Sequence, residues 1–186
     1  MKSTLPVRGR TVAIAALAAV LIGLLLAAVD ARAADTPTGG FSSEAPTTPL
    51  ATAAMNSDRR TALAPAGAPP EVAAAVAAAN RITRKPYKWG GGHGRWRDSG
   101  YDCSGTVSYV LHAAGLLKRA RDSTGLMSYG WRGKGKWITI YANGGHAFVY
   151  LAGLRLDTSG TGGRGPRWRL EPRSRGGFAA RHPFGL

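Results

Sequence analysis

The chain has a single cysteine, Cys103, among 186 residues. One cysteine excludes a disulfide framework within the chain and a zinc site built from several cysteines. Acidic residues are also scarce, since 10 Asp and Glu stand against 25 Lys and Arg, which gives a formal charge of +15. Hydrophobic residues make up 44% of the chain, which is too many for a wholly disordered protein. The length suits one folded domain with additional segments.

The first 33 residues have the parts of an export signal. Three basic residues lie before position 11, and an uncharged stretch runs from Val12 to Val29. Ala31 and Ala33 then supply the small residues of a cleavage site, so we expect cleavage after Ala33. An uncleaved stretch over 12–29 is long enough to anchor the protein in a membrane instead, with its basic end inside. Either form places the rest of the chain outside the cytoplasm.

The positive charge belongs to the exported part, because removal of residues 1–33 leaves 21 basic and 9 acidic residues. A cationic protein is drawn to anionic polymers. We therefore expect peptidoglycan or another anionic cell-wall polymer as the partner, with no nucleic acid, and a membrane only through an uncleaved N-terminal segment. A basic surface that only keeps the protein soluble is the alternative. We expect a monomer.

The rest of the chain divides into a linker and a domain. Residues 34–70 carry six of the eleven prolines among Thr, Ser, Ala and Gly, without apolar periodicity. This composition predicts a flexible linker, because it buries too little surface to offset the entropy of ordering. Residues 71–186 are expected to form the one folded domain.

The domain is predicted to place helices before strands, which is typical of the α+β class. One helix is predicted from Glu71 to about Ile82 and another from Cys103 to about Ala114, with Asp102 as its N-cap. Loops are predicted over 118–135 and 159–167. The predicted strands are Trp137–Tyr141, His146–Leu151, Leu154–Asp157 and Phe178–Arg181.

The chemistry is expected to involve Cys103 and His146, with Asp157 as a third member. A cysteine at a helix N-terminus can have a depressed pKa, and thiolates are the nucleophilic form. His146 begins an apolar strand after a Gly-Gly turn, where an imidazole can accept the thiol proton. If the strands of His146 and Asp157 pair as a hairpin, the carboxylate lies beside the imidazole and can orient it. A buried cysteine, a capped strand end and a turn aspartate are the structural alternatives.

Three motifs together carry a resemblance to a known family. They are Tyr87-Lys88-Trp89-Gly90-Gly91, Asp102-Cys103-Ser104-Gly105, and Gly145-His146-Ala147 followed by apolar residues. The chain resembles the NlpC/P60 cysteine peptidases over roughly 80–160. The resemblance implies a papain-like fold, with N-terminal helices packed on a small antiparallel sheet, and cleavage of peptidoglycan stem peptides.

The resemblance also implies roles for individual residues. By position, Cys103 is the nucleophile and His146 the general base. Asp157 falls where the family has its third polar residue, often His, Asn or Gln, so an aspartate is a departure. A second departure precedes the histidine strand, where Gly135-Lys136 stands in place of the family's Gly-Asp.

The remaining implied residues belong to the substrate cleft. Tyr87 matches a tyrosine whose hydroxyl helps to line the oxyanion site. Asp102 and Ser104 match positions that contact a substrate's free amine and line the cleft in relatives. We expect no cofactor and no metal, because the histidines at 93, 112 and 182 share no ligand spacing with one another or with Cys103.

Two further interpretations stay open at this level. A papain-like thiol enzyme can act on wall material as an amidase or as an acyltransferase. Alternatively, the substituted Asp157 and the altered strand before His146 fit a decayed triad in a cationic wall-binding domain. The arginines between Arg164 and Arg181, interspersed with Trp168 and Phe178, are a candidate surface for a polyanion.

Overall fold

The computed structural model describes residues 52–160 and 165–186. The helices are α1 (Pro70–Ile82), α2 (Cys103–Ala113) and the short α3 (Ser123–Leu126). The strands are β1 (Ala54–Met55), β2 (Ala62–Leu63), β3 (Trp131–Arg132), β4 (Ile138–Ala142), β5 (Ala147–Leu151), β6 (Leu154–Asp157), β7 (Arg167–Arg169) and β8 (Ala179–His182). Across these two ranges, none of the helices has the length and apolar character needed to cross a membrane.

The strands β3 to β8 form one six-stranded antiparallel sheet in the order β3-β8-β4-β5-β6-β7. In the central pair, Ile140 of β4 lies opposite Val149 of β5, and Tyr141 lies opposite Phe148. Since side chains alternate between the two faces of a strand, this register puts the aliphatic residues on one face and the aromatic residues on the other. Antiparallel strands with helices earlier in the chain give a mixed fold consistent with the predicted α+β class.

The two longer helices cover the aliphatic face of the sheet. Helix α1 begins with Pro70 at its first turn and buries Val72, Val76 and Ile82, because these residues fall on one face at helical spacing. Helix α2 packs against α1 and β5, with Val107 and Leu111 fully buried. This packing fixes the N-terminus of α2 near the start of β5.

Residues 52–69 differ from the flexible linker predicted over 34–70. They form the β1–β2 hairpin, and Ala62 within it is almost fully buried. The Asn80 amide on α1 binds both the N–H and the carbonyl of Ala62, at 2.9 and 2.8 Å. The hairpin is attached through small side chains and main-chain hydrogen bonds, which leave no apolar periodicity in the sequence. Residues 34–51 lie outside the described part of the chain.

Most predicted elements agree with the structure to within two residues. The two predicted helices and the four predicted strands correspond to α1 and α2 and to β4, β5, β6 and β8. The short elements α3 and β3 lie in the segment predicted as a loop over 118–135, and β7 begins at the last residue of the loop predicted over 159–167. They were missed because two to four residues are too few to show a period. The predicted signal or anchor over 1–33 lies outside the described residues.

Replacement of Asn80 by alanine should destabilise the domain. Its Oδ1 also accepts the indole N–H of Trp168 at 2.9 Å, so the substitution leaves two donors and one acceptor without their partner. We expect the free energy of unfolding to fall by about 2 kcal/mol, measured by urea denaturation. Asn56→Ala, which removes one bond to Thr61, is the control and should cost less. Equal stability of Asn80→Ala and the native chain would contradict this account of how the hairpin is attached.

Candidate active site

Cys103 is the first residue of α2, and the preceding residue caps the helix. The Asp102 Oδ1 accepts the Gly105 N–H at 2.6 Å, which fixes the geometry of the first turn. The Cys103 side chain is partly exposed at the positive end of the helix, where an anion is favoured. The N–H of Cys103 itself has no acceptor within the helix, so it is available to a group in front of the sulfur.

His146 lies directly before β5, at the end of the turn that follows β4. The Asn143 Oδ1 accepts the N–H groups of Gly145 and His146, at 3.0 and 2.9 Å, and these bonds set the direction in which β5 begins. The His146 ring and the Ala147 N–H both face the Cys103 sulfur and lower the pKa of the thiol. The turn therefore brings two donors to one sulfur atom.

Asp157 ends β6, and its carboxylate is completely buried. Its Oδ1 lies 2.9 Å from the His146 Nε2, so the remaining imidazole nitrogen, Nδ1, is the one that faces Cys103. The same Oδ1 accepts the Ser159 N–H at 2.9 Å and the Ser159 hydroxyl at 3.0 Å. The predicted hairpin of β5 and β6 is present, and it places Asp157 beside His146 as expected.

The three groups shift one another's ionisation. Burial raises the pKa of the Cys103 thiol, but its hydrogen bonds to His146 and Ala147 outweigh burial and bring that pKa below its usual value. Burial lowers the pKa of His146, whereas the bonds to Asp157 and Cys103 raise it to about 9. For Asp157, burial raises the pKa, and the bonds to His146 and Ser159 bring it below its usual value. All three shifts are towards the charged form of the group, namely the thiolate, the imidazolium and the carboxylate.

Arg173 is a member of this network that the sequence analysis did not identify. Its Nη1 lies 3.2 Å from the Asp157 Oδ2 and also hydrogen-bonds to the Ser159 hydroxyl. Its guanidinium carbon lies over the rings of Phe148 and Phe178, at 4.8 and 5.5 Å from their centroids. The only signal in the sequence was an arginine-rich tail, which gives no indication of which arginine reaches the carboxylate.

A second histidine lies in the same cleft, although its sequence position indicated no role. The His93 Nε2 is 3.1 Å from both the Asp102 Oδ1 and the Ser104 hydroxyl. The other carboxylate oxygen, Oδ2, accepts the Gly90 N–H at 3.0 Å. Asp102 thus bonds to the Gly-rich loop, to the first turn of α2 and to His93, and so holds all three beside the thiol.

These residues line a cleft of about 380 Å³ that opens onto Cys103. Its lining residues come from the Gly-rich loop, the start of α2, the start of α3 and the turn before β5. They are Tyr87, Trp89, Gly90, His93, Asp102, Cys103, Ser104, Asp122, Ser123, Thr124, Gly144 and Gly145. All the residues predicted for the cleft, namely Tyr87, Asp102 and Ser104, are therefore brought together with Cys103.

Tyr87 lies on the wall of the cleft and keeps 41% of its surface exposed. Partial burial, followed by the negative charges of Cys103 and Asp102, raises the pKa of its phenol. The phenol therefore stays protonated at neutral pH and acts as a hydrogen-bond donor. Trp89, which is 87% exposed, extends the cleft wall into solvent.

The two histidines of the site are both bound by other side chains of the protein. Among the residues that the structure describes, no group of three or more His, Cys, Asp and Glu side chains is arranged to hold a metal ion. The imidazole of His146 is engaged by Asp157 and Cys103, and that of His93 by Asp102 and Ser104.

Asp157→Asn should lower the pKa of His146 by at least about one unit. The amide oxygen can still accept the imidazole N–H, but the negative charge that stabilises the imidazolium is removed. We expect an NMR titration of the His146 ring to show this fall from about 9 towards the ordinary value of about 6.5.

Glu171→Gln is the matched control, because it removes an exposed carboxylate from the loop that carries Arg173. It should leave the titration of His146 unchanged. An equal shift in both variants, or no shift in Asp157→Asn, would contradict the assignment of Asp157 as the charge partner of His146.

Comparison with known proteins adds no family assignment. A scan of the chain against models of protein families finds no match, and a search of curated proteins finds none.

Proposed function

We propose that this protein is an exported cysteine hydrolase that cleaves an amide bond in peptidoglycan stem peptides. Cys103 is the nucleophile, His146 the general base and acid, and Asp157 the residue that orients His146. One observation carries the proposal: the thiol at the N-terminus of α2 lies beside an imidazole that lowers its pKa, and the Nε2 of that imidazole is 2.9 Å from a buried carboxylate oxygen. This is the arrangement by which a nucleophile, a base and an orienting group act together.

The reaction begins from the ion pair. The Cys103 thiolate attacks the carbonyl carbon of the scissile amide and forms a C–S bond, while the C=O π electrons move to oxygen. Cys103 and Tyr87 both line the cleft, and in this proposal the N–H of Cys103 and the protonated Tyr87 hydroxyl donate hydrogen bonds to that oxyanion. Donors that are already oriented stabilise the transition state without further reorganisation.

His146 moves the proton in both halves of the reaction. The imidazolium donates its proton to the leaving amine nitrogen as the C–N bond breaks, which leaves a thioester on Cys103 and a neutral imidazole. That imidazole then takes a proton from water, whose oxygen attacks the thioester. Collapse of the second intermediate releases the carboxylic acid and restores the thiolate and the imidazolium.

The fold and charge support the substrate class. Early helices, a thiol at a helix N-terminus and a histidine at the start of an interior strand of an antiparallel sheet are features expected of a papain-like NlpC/P60 fold. The described residues carry 20 Lys and Arg against 7 Asp and Glu. This excess attracts an anionic wall polymer and thereby raises the concentration of stem peptides near the cleft.

The geometry favours a working site over a decayed one. Asp157 replaces the usual neutral third residue, yet it accepts the imidazole bond, and Arg173 and the Ser159 N–H compensate its buried charge. A triad that no longer functioned would be free to lose such contacts. The altered segment at Gly135 and Lys136 lies outside the residues that line the cleft.

Cys103→Ala should abolish cleavage of purified peptidoglycan while the fold remains. The native chain is expected to release soluble peptide fragments, which mass spectrometry assigns to one type of amide bond with water added across it. An unchanged thermal melting curve of Cys103→Ala would exclude unfolding as the cause of the loss.

His182→Ala is a suitable histidine control, because His182 lies on β8 outside the cleft. It should retain activity, whereas His146→Ala should not. Fragment release by Cys103→Ala, or products that carry an added acyl group in place of water, would contradict a cysteine hydrolase.

A further inference from the structure

The arginine-rich tail does not form one continuous surface. Arg173 binds Asp157, the Arg181 Nε donates to the carbonyl of Met127, and Trp168 is buried. Arg175 has a different environment, because it lines a depression on the face of the sheet turned away from α1 and α2. We call this depression the cationic pocket. Its lining residues are Lys134, Gly135, Lys136, Trp137, Thr139, Tyr141, Tyr150, Gly153 and Arg175.

The charge of the cationic pocket is of one sign. Lys134, Lys136 and Arg175 lie around it, and none of its lining residues is acidic. None of the three cations forms an ion pair with another described residue. Three exposed positive charges around a concave surface attract an anion more strongly than the same charges spread over a flat one, because low-dielectric walls focus the field.

The walls of the cationic pocket are aromatic. The Arg175 guanidinium carbon lies 5.7 Å from the ring centroid of Tyr141 and 5.2 Å from that of Tyr150, and the Arg175 side chain hydrogen-bonds to Tyr150. The Lys136 ammonium lies 5.8 Å from the ring centroid of Trp137. Two of the three cations, Arg175 and Lys136, thus lie over ring faces, and the pocket combines apolar area with hydroxyl groups and positive charge.

We propose that the cationic pocket binds an anionic sugar unit, bearing a carboxylate or a phosphate, of a cell-wall polymer. The cations recognise the acidic group, and the aromatic rings cover an apolar face of the sugar. The volume is about 240 Å³, below the roughly 300–1,000 Å³ of sites for larger organic ligands. It therefore suits one unit of a chain rather than a long segment. The anion chemistry follows from the pocket, whereas the wall as its source rests on the proposed function.

The cationic pocket is separate from the cleft at Cys103. The two share no lining residue. Tyr150 lies four residues beyond His146 along β5, which is roughly 13 Å of extended strand. A polymer held in the pocket therefore keeps the protein on the wall without occupying the cleft, so binding and hydrolysis can be measured separately.

The test uses the full chain with Cys103→Ala, so that the wall polymer is bound without being cut. The probe is purified cell wall, either with its phosphate-containing polymers or after acid treatment that removes them, and sedimentation gives the dissociation constant. In this background, Lys134→Gln, Lys136→Gln and Arg175→Gln together should weaken binding about tenfold or more. Binding that is retained on the stripped wall identifies a carboxylate ligand. Binding that is lost when the phosphate-containing polymers are removed identifies a phosphate ligand. Each result supports an anionic ligand in the cationic pocket.

The control removes the same charge elsewhere, through Arg60→Gln, Lys118→Gln and Arg119→Gln, which are exposed residues outside the cationic pocket. It should weaken binding by less than about threefold, since screening limits distant charges. Equal weakening in both variants would overturn the proposal, because net charge alone would then explain binding. If the triple variant melts early, Lys134→Gln with Lys136→Gln is the substitute, and unchanged binding there would also overturn it. Neither result depends on whether the native chain hydrolyses peptidoglycan.

Discussion

The hydrogen bond between Asp157 and His146 is the contact on which the candidate site depends. It fixes which imidazole nitrogen faces Cys103 and, together with Cys103 itself, raises the pKa of His146 to about 9. A completely buried carboxylate is costly to keep charged unless its partners replace water. Here the Ser159 N–H and the Arg173 guanidinium do so. The thiolate form of Cys103 is therefore stabilised through His146 by the contacts that Asp157 makes on the opposite side of the imidazole ring.

The two faces of the antiparallel sheet have different roles. Its aliphatic face packs against α1 and α2 and so brings Cys103 to the start of β5. Its other face carries Phe148, Tyr150 and Asp157, and the loop before β8 places Arg173 and Arg175 over them. One loop thus contributes an arginine to the candidate active site and another to the cationic pocket. The same fold that positions Cys103 also presents a basic, aromatic surface at a distance from it.

The sequence predicted the elements whose signals are local and periodic. The apolar stripe and the N-cap Asp102 indicated α2, and the short turn between two strands placed Asp157 near His146. The hairpin of 52–69 was missed because its main chain is held by the side-chain amide of Asn80, which lies 18 residues beyond Ala62. Arg173 was missed for the same reason, since nothing in a tail with several arginines distinguishes the one that meets Asp157. Contacts that form only in the tertiary fold leave no characteristic spacing of residues in the sequence.

The central claim is that Cys103 is ionised at neutral pH because His146 and the N-terminus of α2 stabilise its thiolate. The most direct measurement is the ultraviolet absorbance of the thiolate, taken as the difference between the native chain and Cys103→Ala across a pH titration. The account predicts that this absorbance is already present at neutral pH and disappears only on acidification, since the pKa of the thiol is lowered. A thiolate signal that appears only above the ordinary cysteine pKa of about 8.5 would contradict it.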